Sequence, residues 1–291
     1  MIAARHPRPL NARSVPRRPW NSRRPAILTL PLIVATVLAV PISATASGDA
    51  EARERSGFFV AGVAELPEYQ GADDGRLVPF FVGQFELDRG TVELEGLEAR
   101  LDLIDGPWRG GPSLSVGLPR DEDFVDEPTI QLLPEVDVAL ELGGFVGLDV
   151  PLGRSVEDRL RLDLAVRHDV LDAHGGLTAK FKVEYFFKVS RMLRIGLAAN
   201  STWADGGYHE TYFSIAPEAA QDAGLAIYDA GAGFRDFGFE VYAITSFSES
   251  WGVFTRFAWN RLVDDAAESP LVRDLGSRDQ RFFGAGAFYR W

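Results

Sequence analysis

The chain has 291 residues, 46% of them hydrophobic, with 30 basic against 42 acidic side chains and no cysteine. A formal net charge of −12 argues against nucleic acid as a partner, and the missing cysteines exclude a disulfide framework and any thiolate metal site. Beyond residue 46 no apolar run approaches the length of a spanning helix, so a helical membrane protein is excluded as well.

The first 46 residues carry seven arginines (5, 8, 13, 17, 18, 23 and 24) and no acid, then an uncharged run from Ala26 to Ile42 followed by Ala44-Thr45-Ala46. This layout predicts a secretory signal peptide over 1–46, cleaved before Ser47. A single transmembrane anchor is the alternative, for which the run is short and broken by Pro31 and Pro41. Without the leader, 23 basic residues face 42 acids, a balance of −19.

From residue 57 the dominant pattern has a period of two. Segments 57–66, 76–87, 91–95 and 97–103 come first, and Glu98, Arg100 and Asp102 share one face of the fourth. Pro79 interrupts the second, so a bulge or an edge-like irregularity is expected there. Segment 111–119 follows. The longest run, 133–150, sets Glu135, Asp137, Ala139, Glu141, Gly143, Gly147 and Asp149 against Val136, Val138, Leu140, Leu142, Val146, Leu148 and Val150. At about 3.3 Å per residue it far exceeds the usual soluble strand of roughly five or six residues. Segment 160–166, flanked by Arg159 and Arg167, puts those two with Arg161 and Asp163 on one face; 177–189 does the same with Lys180, Lys182, Glu184 and Lys188. Segments 192–203, 232–247, 251–262 and 281–291 complete twelve strands, or ten if the short hairpin at Glu95-Gly96 is not real.

Long strands with one charged and one apolar face are what a tilted strand needs to cross hydrocarbon around a polar lumen. The expected fold is therefore all-β: a transmembrane antiparallel up-and-down barrel over 57–291, preceded by a short periplasmic segment at 47–56. Outer-membrane barrels use short periplasmic turns and long external loops. Counting back from Trp291, 263–280, 204–231, Asp172 to Gly175 and 120–132 fall outside, while 248–250, the turn near Ser190 and 151–157 fall inside. Trp251 and Trp259 share a face eight residues apart, which at about 40° of tilt separates them by roughly 20 Å along the membrane normal, the spacing of two aromatic girdles. The chain ends on Phe283, Ala285, Ala287, Tyr289 and Trp291, an apolar face closing on an aromatic, like the C-terminal assembly signal read by the barrel assembly machinery.

Several segments together resemble the MipA/OmpV family of outer-membrane proteins. They are Pro67-Glu68-Tyr69-Gln70-Gly71-Ala72-Asp73-Asp74, Arg120-Asp121-Glu122-Asp123, His174-Gly175-Gly176, Thr202-Trp203-Ala204-Asp205, Thr211-Tyr212-Phe213, Tyr228 to Asp236, and Ser269-Pro270-Leu271-Val272. The resemblance implies an outer-membrane barrel without established catalysis or cofactor. In some members it implies a link to murein transglycosylase and murein synthase, in others to adhesion or envelope stress.

The residues themselves offer little chemistry. The histidines past the leader are His168, expected on the outer face near the rim, His174 in a Gly-rich turn and His209 in a loop; no serine stands beside any of them by local spacing, so no nucleophile and base pair is expected. Asp73-Asp74, Asp121-Glu122-Asp123 with Asp126-Glu127, and Asp264-Asp265 supply hard oxygen ligands but lack EF-hand spacing; solvated loops are the plain reading, and a weak cation bridge to lipopolysaccharide phosphates the sharper one. The expected lumen ladder is Glu135, Asp137, Glu141 and Asp149 facing Arg159, Arg161 and Arg167, then Lys180 and Lys182, paired between neighbouring strands and filling most of the interior. In the loop 204–231, Ala216 to Gly224 reads as a helix with Pro217 in its first turn and Gly224 as its stop. Tyr208, Tyr212, Phe213 and Tyr228 around it either form an interaction surface or tuck over the barrel mouth. A non-enzymatic envelope scaffold is the first functional expectation, with outer-membrane lipid, lipopolysaccharide and murein enzymes as partners, and a narrow solute channel the second.

Overall fold

A computed structural model describes residues 56–153 and 158–291. The expected signal peptide and nearly all of segment 47–56 lie outside the described residues, as does part of the 151–157 turn.

Twelve strands close into one barrel in which each pairs antiparallel with its sequence neighbours. They are β1 (Gly57–Pro67), β2 (Gly75–Glu86), β3 (Thr91–Glu95), β4 (Glu98–Asp102), β5 (Trp108–Gly117), β6 (Ala139–Pro151), β7 (Arg159–Asp169), β8 (Leu177–Lys188), β9 (Leu193–Ala204), β10 (Gly233–Ser246), β11 (Trp251–Leu262) and β12 (Asp279–Arg290). Closure comes from β1 against β12, running from Phe58 opposite Arg290 to Glu65 opposite Phe283. The alternation fixes which side faces out. Leu142, Val146, Leu164, Val166, Phe181, Leu197, Phe239, Val241 and Phe257 are all exposed on the outer wall, while the opposite parity buries Glu141, Asp163, Arg167, Lys182 and Glu240 in the lumen. An exposed belt of that kind is stable only in hydrocarbon.

One expectation fails in its details, and another holds in one of its two forms. The run starting at residue 133 does not begin a strand; β6 starts at Ala139, opposite Gly117. Pro134 has no N–H to give a ladder, Ile130–Leu132 form a 3-10 turn, and Val136 makes only an isolated bridge to Arg120. The alternation there is real, but it serves a loop laid across the mouth, with Val136 buried beneath it and Glu135 and Asp137 exposed above. Those two acids are therefore not part of the lumen ladder. Of the two accommodations expected at Pro79, no bulge forms, since β1 and β2 stay in register from Gly57 opposite Phe85 to Pro67 opposite Gly75; the edge-like one is present, because among the described residues no strand pairs with the other edge of β2 there.

The short hairpin is real. Glu95 and Glu98 face each other across Gly96-Leu97, and Gly96 takes a φ of +62°, a conformation that favours glycine at the first central position of such a turn. The loops at the opposite end from the termini carry four helices. These are α1 (Gly206–Phe213), α2 (Pro217–Ala223), α3 (Asp264–Glu268) and α4 (Pro270–Arg273). In α2, Pro217 opens the first turn and Gly224 ends it at a φ of +69°. α1 starts on two glycines, poor helix formers, and is held by the Asp205 side chain, which accepts from Tyr208 N–H at 3.1 Å.

Candidate functional site: the lumen and its two mouths

A barrel of twelve strands at about 4.8 Å spacing and about 40° tilt is roughly 24 Å across if circular, farther than a Glu and a Lys reach end to end. The acids of β3 and β4 nonetheless pair across the lumen with bases on β7, β8 and β11. Glu95 binds Lys182 Nζ on β8 at 2.8 Å and Arg256 Nη2 on β11 at 2.9 Å. Glu98 binds Lys180 Nζ and Arg167 Nη2, both at 2.8 Å. Glu93 binds Arg161 at 3.2 Å and also Arg109.

Further pairs knit these together. Arg109 reaches Asp163 at 3.0 Å and Asp102 at 3.2 Å, and Arg100 reaches Asp163 at 3.5 Å. Lys182, 2% exposed, also lies 2.9 Å from Glu184. The Tyr242 hydroxyl donates to Glu240 at 2.7 Å and lies 3.1 Å from Glu184. Buried charges survive only when paired in this way.

The ladder read from the sequence is partly here. Arg161 pairs with Asp149 of the adjacent β6 at 2.8 Å, as neighbouring strands suggest. Glu141 instead meets Thr178 Oγ1 at 3.4 Å and stands 3.2 Å from His174 Nε2. Arg159 lies over the Phe186 ring. Arg167, Lys180 and Lys182 find their carboxylates on the short hairpin rather than on β6. Glu93, Glu95, Glu240, Arg109 and Arg256 were not singled out from the sequence, although parity reveals them: Glu240 alternates with Phe239 and Val241, and Arg256 opposes the Trp251 and Trp259 face.

The loop mouth is filled. Val136, Tyr208, Tyr212, Phe213, Ala266, Ala267 and Val272 form one buried apolar cluster, and Tyr69, Val125, Ile130, Leu133, Ile215 and Leu271 form a second. Polar clasps join the segments: Ser269 Oγ donates to Phe213 O at 2.6 Å, Tyr208 hydroxyl to Gln70 Oε1 at 2.9 Å and Tyr228 hydroxyl to Asp265 O at 2.9 Å. Tyr208, Tyr212 and Phe213 are thus inside this plug, with Tyr228 packed half-buried against it. Of the two arrangements these four residues could take, the side chains are turned inward over the mouth and present no aromatic surface. Burial raises the phenol pKa of Tyr69, Tyr208 and Tyr212 above the ordinary value of 10.0.

The turn mouth is hollow. A cavity of about 370 Å³ runs from Phe58, Gln84, Arg159, Arg194 and Arg290 up to Glu93, Glu95 and Arg256. Its apolar wall includes Leu94, Phe186, Tyr242, Phe254 and Phe288.

The remaining sequence candidates fall as follows. Trp251 and Trp259 both face outward at opposite ends of β11; Trp251 packs on Tyr289 with centroids 4.7 Å apart, and Trp259 stacks on Phe239 and donates Nε1–H to Asp279 at 3.1 Å. Phe283, Tyr289 and Trp291 line the exposed outer face of the last strand, and Trp291 packs on Phe85 of β2. His168 points outward, its Nδ1 3.0 Å from Gly176 O. His174 and His209 lie in the connections expected of them and are buried there; His174 Nδ1 accepts from Gly176 N–H at 3.0 Å and His209 Nδ1 lies 3.1 Å from Asp205 O. The acidic doublets serve loop geometry: Asp121 accepts from Phe124 N–H at 2.8 Å and Asp265 from Gly231 N–H at 2.7 Å. Among the described residues no group of three His, Asp or Glu is arranged to hold a metal.

Closed strand order, an apolar outer belt and a charged, ion-paired interior define an outer-membrane β-barrel protein. Within that class, the chain belongs to the MltA-interacting protein MipA family, whose model matches residues 59–291. No curated protein matches the sequence. Among solved structures, the chain is similar to the NanC porin (5% identity, 80% of this chain and 100% of that one, TM-score 0.40). It is also similar to an outer membrane channel of Pseudomonas putida F1 (9%, 84% and 99%, 0.41) and to the translocator domain of the autotransporter NalP of Neisseria meningitidis (11%, 90% and 96%, 0.39).

Proposed function

We propose that this protein is a closed, non-conducting barrel that acts by holding a partner, with its turn mouth toward the periplasm and the plugged mouth outside. The observation that carries the reading is the charge network joining β3 and β4 to β7, β8 and β11, which occupies the mid-lumen where a pore would run. The family's name ties it to MltA, and a murein transglycosylase, with a murein synthase beside it, is the partner class adopted here. Short periplasmic turns offer such a partner little surface, whereas the turn-mouth cavity, with Arg159, Arg194 and Arg290 near its opening, offers a concave basic one. An acidic segment carrying an apolar residue would suit its charge and its aromatic wall. Outward Trp251 and Trp259 serve as girdles on this reading, and Phe283, Tyr289 and Trp291 as the assembly signal. The histidine contacts above leave the reading one of holding rather than of chemistry.

The test is a mild cross-link in intact cells, purification of the tagged barrel and mass spectrometry of what accompanies it. Enrichment of transglycosylases or murein synthases, lowered by Arg159→Glu with Arg290→Glu, is the expected result. Recovery of lipopolysaccharide and assembly machinery alone contradicts the scaffold role.

A further inference from the structure

The barrel wall is notched beside β2. That strand begins at Gly75, yet it pairs with β3 only from Val82 to Glu86, and β5 pairs with β4 only over Ser113 to Ser115. The Gly96-Leu97 turn closes the gap at mid-height: Gly96 N–H donates to Phe81 O at 2.8 Å, and Leu97 O accepts from Val116 N–H at 3.0 Å. Above that turn, among the described residues, no strand pairs with this edge of β2. The loop after β5 roofs the notch. Arg76 donates to Asp123 O at 2.9 Å and lies over the Phe124 ring.

Pro79 belongs to this feature. The N–H and C=O of one antiparallel residue point to the same edge, and alternate residues share that edge. Since Phe81 O points toward the hairpin, so does the main chain of Pro79. A proline there removes a donor that would otherwise stand unpaired in hydrocarbon. Leu77, 71% exposed, lines the same edge as a lipid-facing side chain would.

Behind the notch lies a cavity of about 290 Å³. Its wall combines Leu97, Val116, Leu118 and Pro119 at the notch with Asn260 of β11 and Gln280 of β12. Arg120 stands in the same wall and is 7% exposed. Its guanidinium is held by three main-chain carbonyls, Tyr212 O and Thr211 O at 3.2 Å and Pro134 O at 3.3 Å, with Nε unpartnered and no carboxylate paired to it. The other charges are engaged: Arg235 with Asp236, and Glu68 Oε2 with Asp126 N–H at 2.9 Å. A buried cation without an anion is costly, and burial does lower the Arg120 pKa.

We infer that the notch is a lateral entrance and that the cavity binds an acyl-chain amphiphile with an acidic head. The head sits at Arg120, and the chain runs past Leu97, Val116, Leu118 and Pro119 and out between β2 and β5 into the surrounding hydrocarbon. The volume is near the lower edge of small-molecule sites, about 300 to 1,000 Å³, so it takes the head and the first part of a chain. With the orientation proposed above, the entrance opens into the outer leaflet.

The full chain, folded in detergent, is titrated with radiolabelled palmitate and with lysophosphatidylglycerol. Because the protein has no cysteine, Leu77→Cys with Leu118→Cys can be bridged across the notch by a bis-maleimide after folding. Leu164→Cys with Phe181→Cys, opposite each other on β7 and β8, is the control bridge. Saturable binding of at least one probe is expected, weakened about tenfold or more, ~1.4 kcal/mol, by the notch bridge and by Arg120→Gln, and unchanged by the control. Palmitate binding points to free fatty acid, and binding of lysophosphatidylglycerol alone points to resident lipid. Absence of saturable binding for both probes, or binding indifferent to the notch bridge, overturns the proposal.

Discussion

The two mouths of this barrel share ten full-height strands, with β3 and β4 reaching only the turn mouth, and come out opposite. At the loop mouth, long connections carry four helices, two apolar clusters and acidic doublets at Asp73-Asp74, Asp121 to Asp123 and Asp264-Asp265; at the turn mouth, connections such as 189–192 and 247–250 are too short to fold over anything, and the lumen stays hollow under Arg159, Arg194 and Arg290. The difference teaches that closure is a property of the connections and of the mid-lumen ion pairs. The strand number alone leaves a space that side chains do not fill.

The largest expected effect lies between the mouths. Lys182→Met leaves Glu95, Glu184 and Glu240 facing one another without their shared cation, and should cost about 3 to 5 kcal/mol in urea unfolding of the folded barrel. Arg191→Ala, in an exposed turn, should stay within about 0.5 kcal/mol. Equal losses from the two would erase the distinction between mid-lumen and turns.

Phe213→Ala tests the plug. Phe213 is fully buried, so the local cost is about 3 to 5 kcal/mol, read as faster protease cleavage of the loop mouth while the strands stay protected. Deleting 208–228 should likewise spare barrel assembly, checked by heat-modifiable gel migration. Failure to fold would show that the plug holds the strands and does not merely cover them.

Alkali should separate the mouths further. Tyr69, Tyr208 and Tyr212 have phenol pKa values raised by burial in the folded state. Their contribution is complete below the unfolded value near 10 and is lost as pH climbs toward the raised folded values. Plug fluorescence and protease resistance should therefore fall from about pH 10 upward, before strand content measured by circular dichroism does. The smallest effect is expected from Arg159→Ala, whose stacking on Phe186 contributes about 0.5 to 1 kcal/mol, yet this variant should weaken capture of an acidic partner at the turn mouth.

Strand positions were legible where tight turns bracket a clean alternation: β11 spans Trp251–Leu262 as its pattern indicates, and α2 follows from Pro217 and Gly224. Alternation misled at Glu135 and Asp137, because Pro134 and the bridge to Arg120 make a period-two loop that no ladder supports. Which charges would line the lumen could be read from parity, but which acid meets which base could not. Those pairings depend on closure and on a hairpin of half height, so Glu95 and Lys182, 87 residues apart, become neighbours only in the barrel. The notch was foreshadowed by Pro79, whose cause becomes visible only once β2 is seen to lack a neighbour.

A blocked lumen is tested by planar-bilayer recording of the folded full chain. No large, stable single-channel openings are expected. Sustained openings whose conductance responds to charge reversal at Glu141 or Arg161 would contradict it and make the protein a channel.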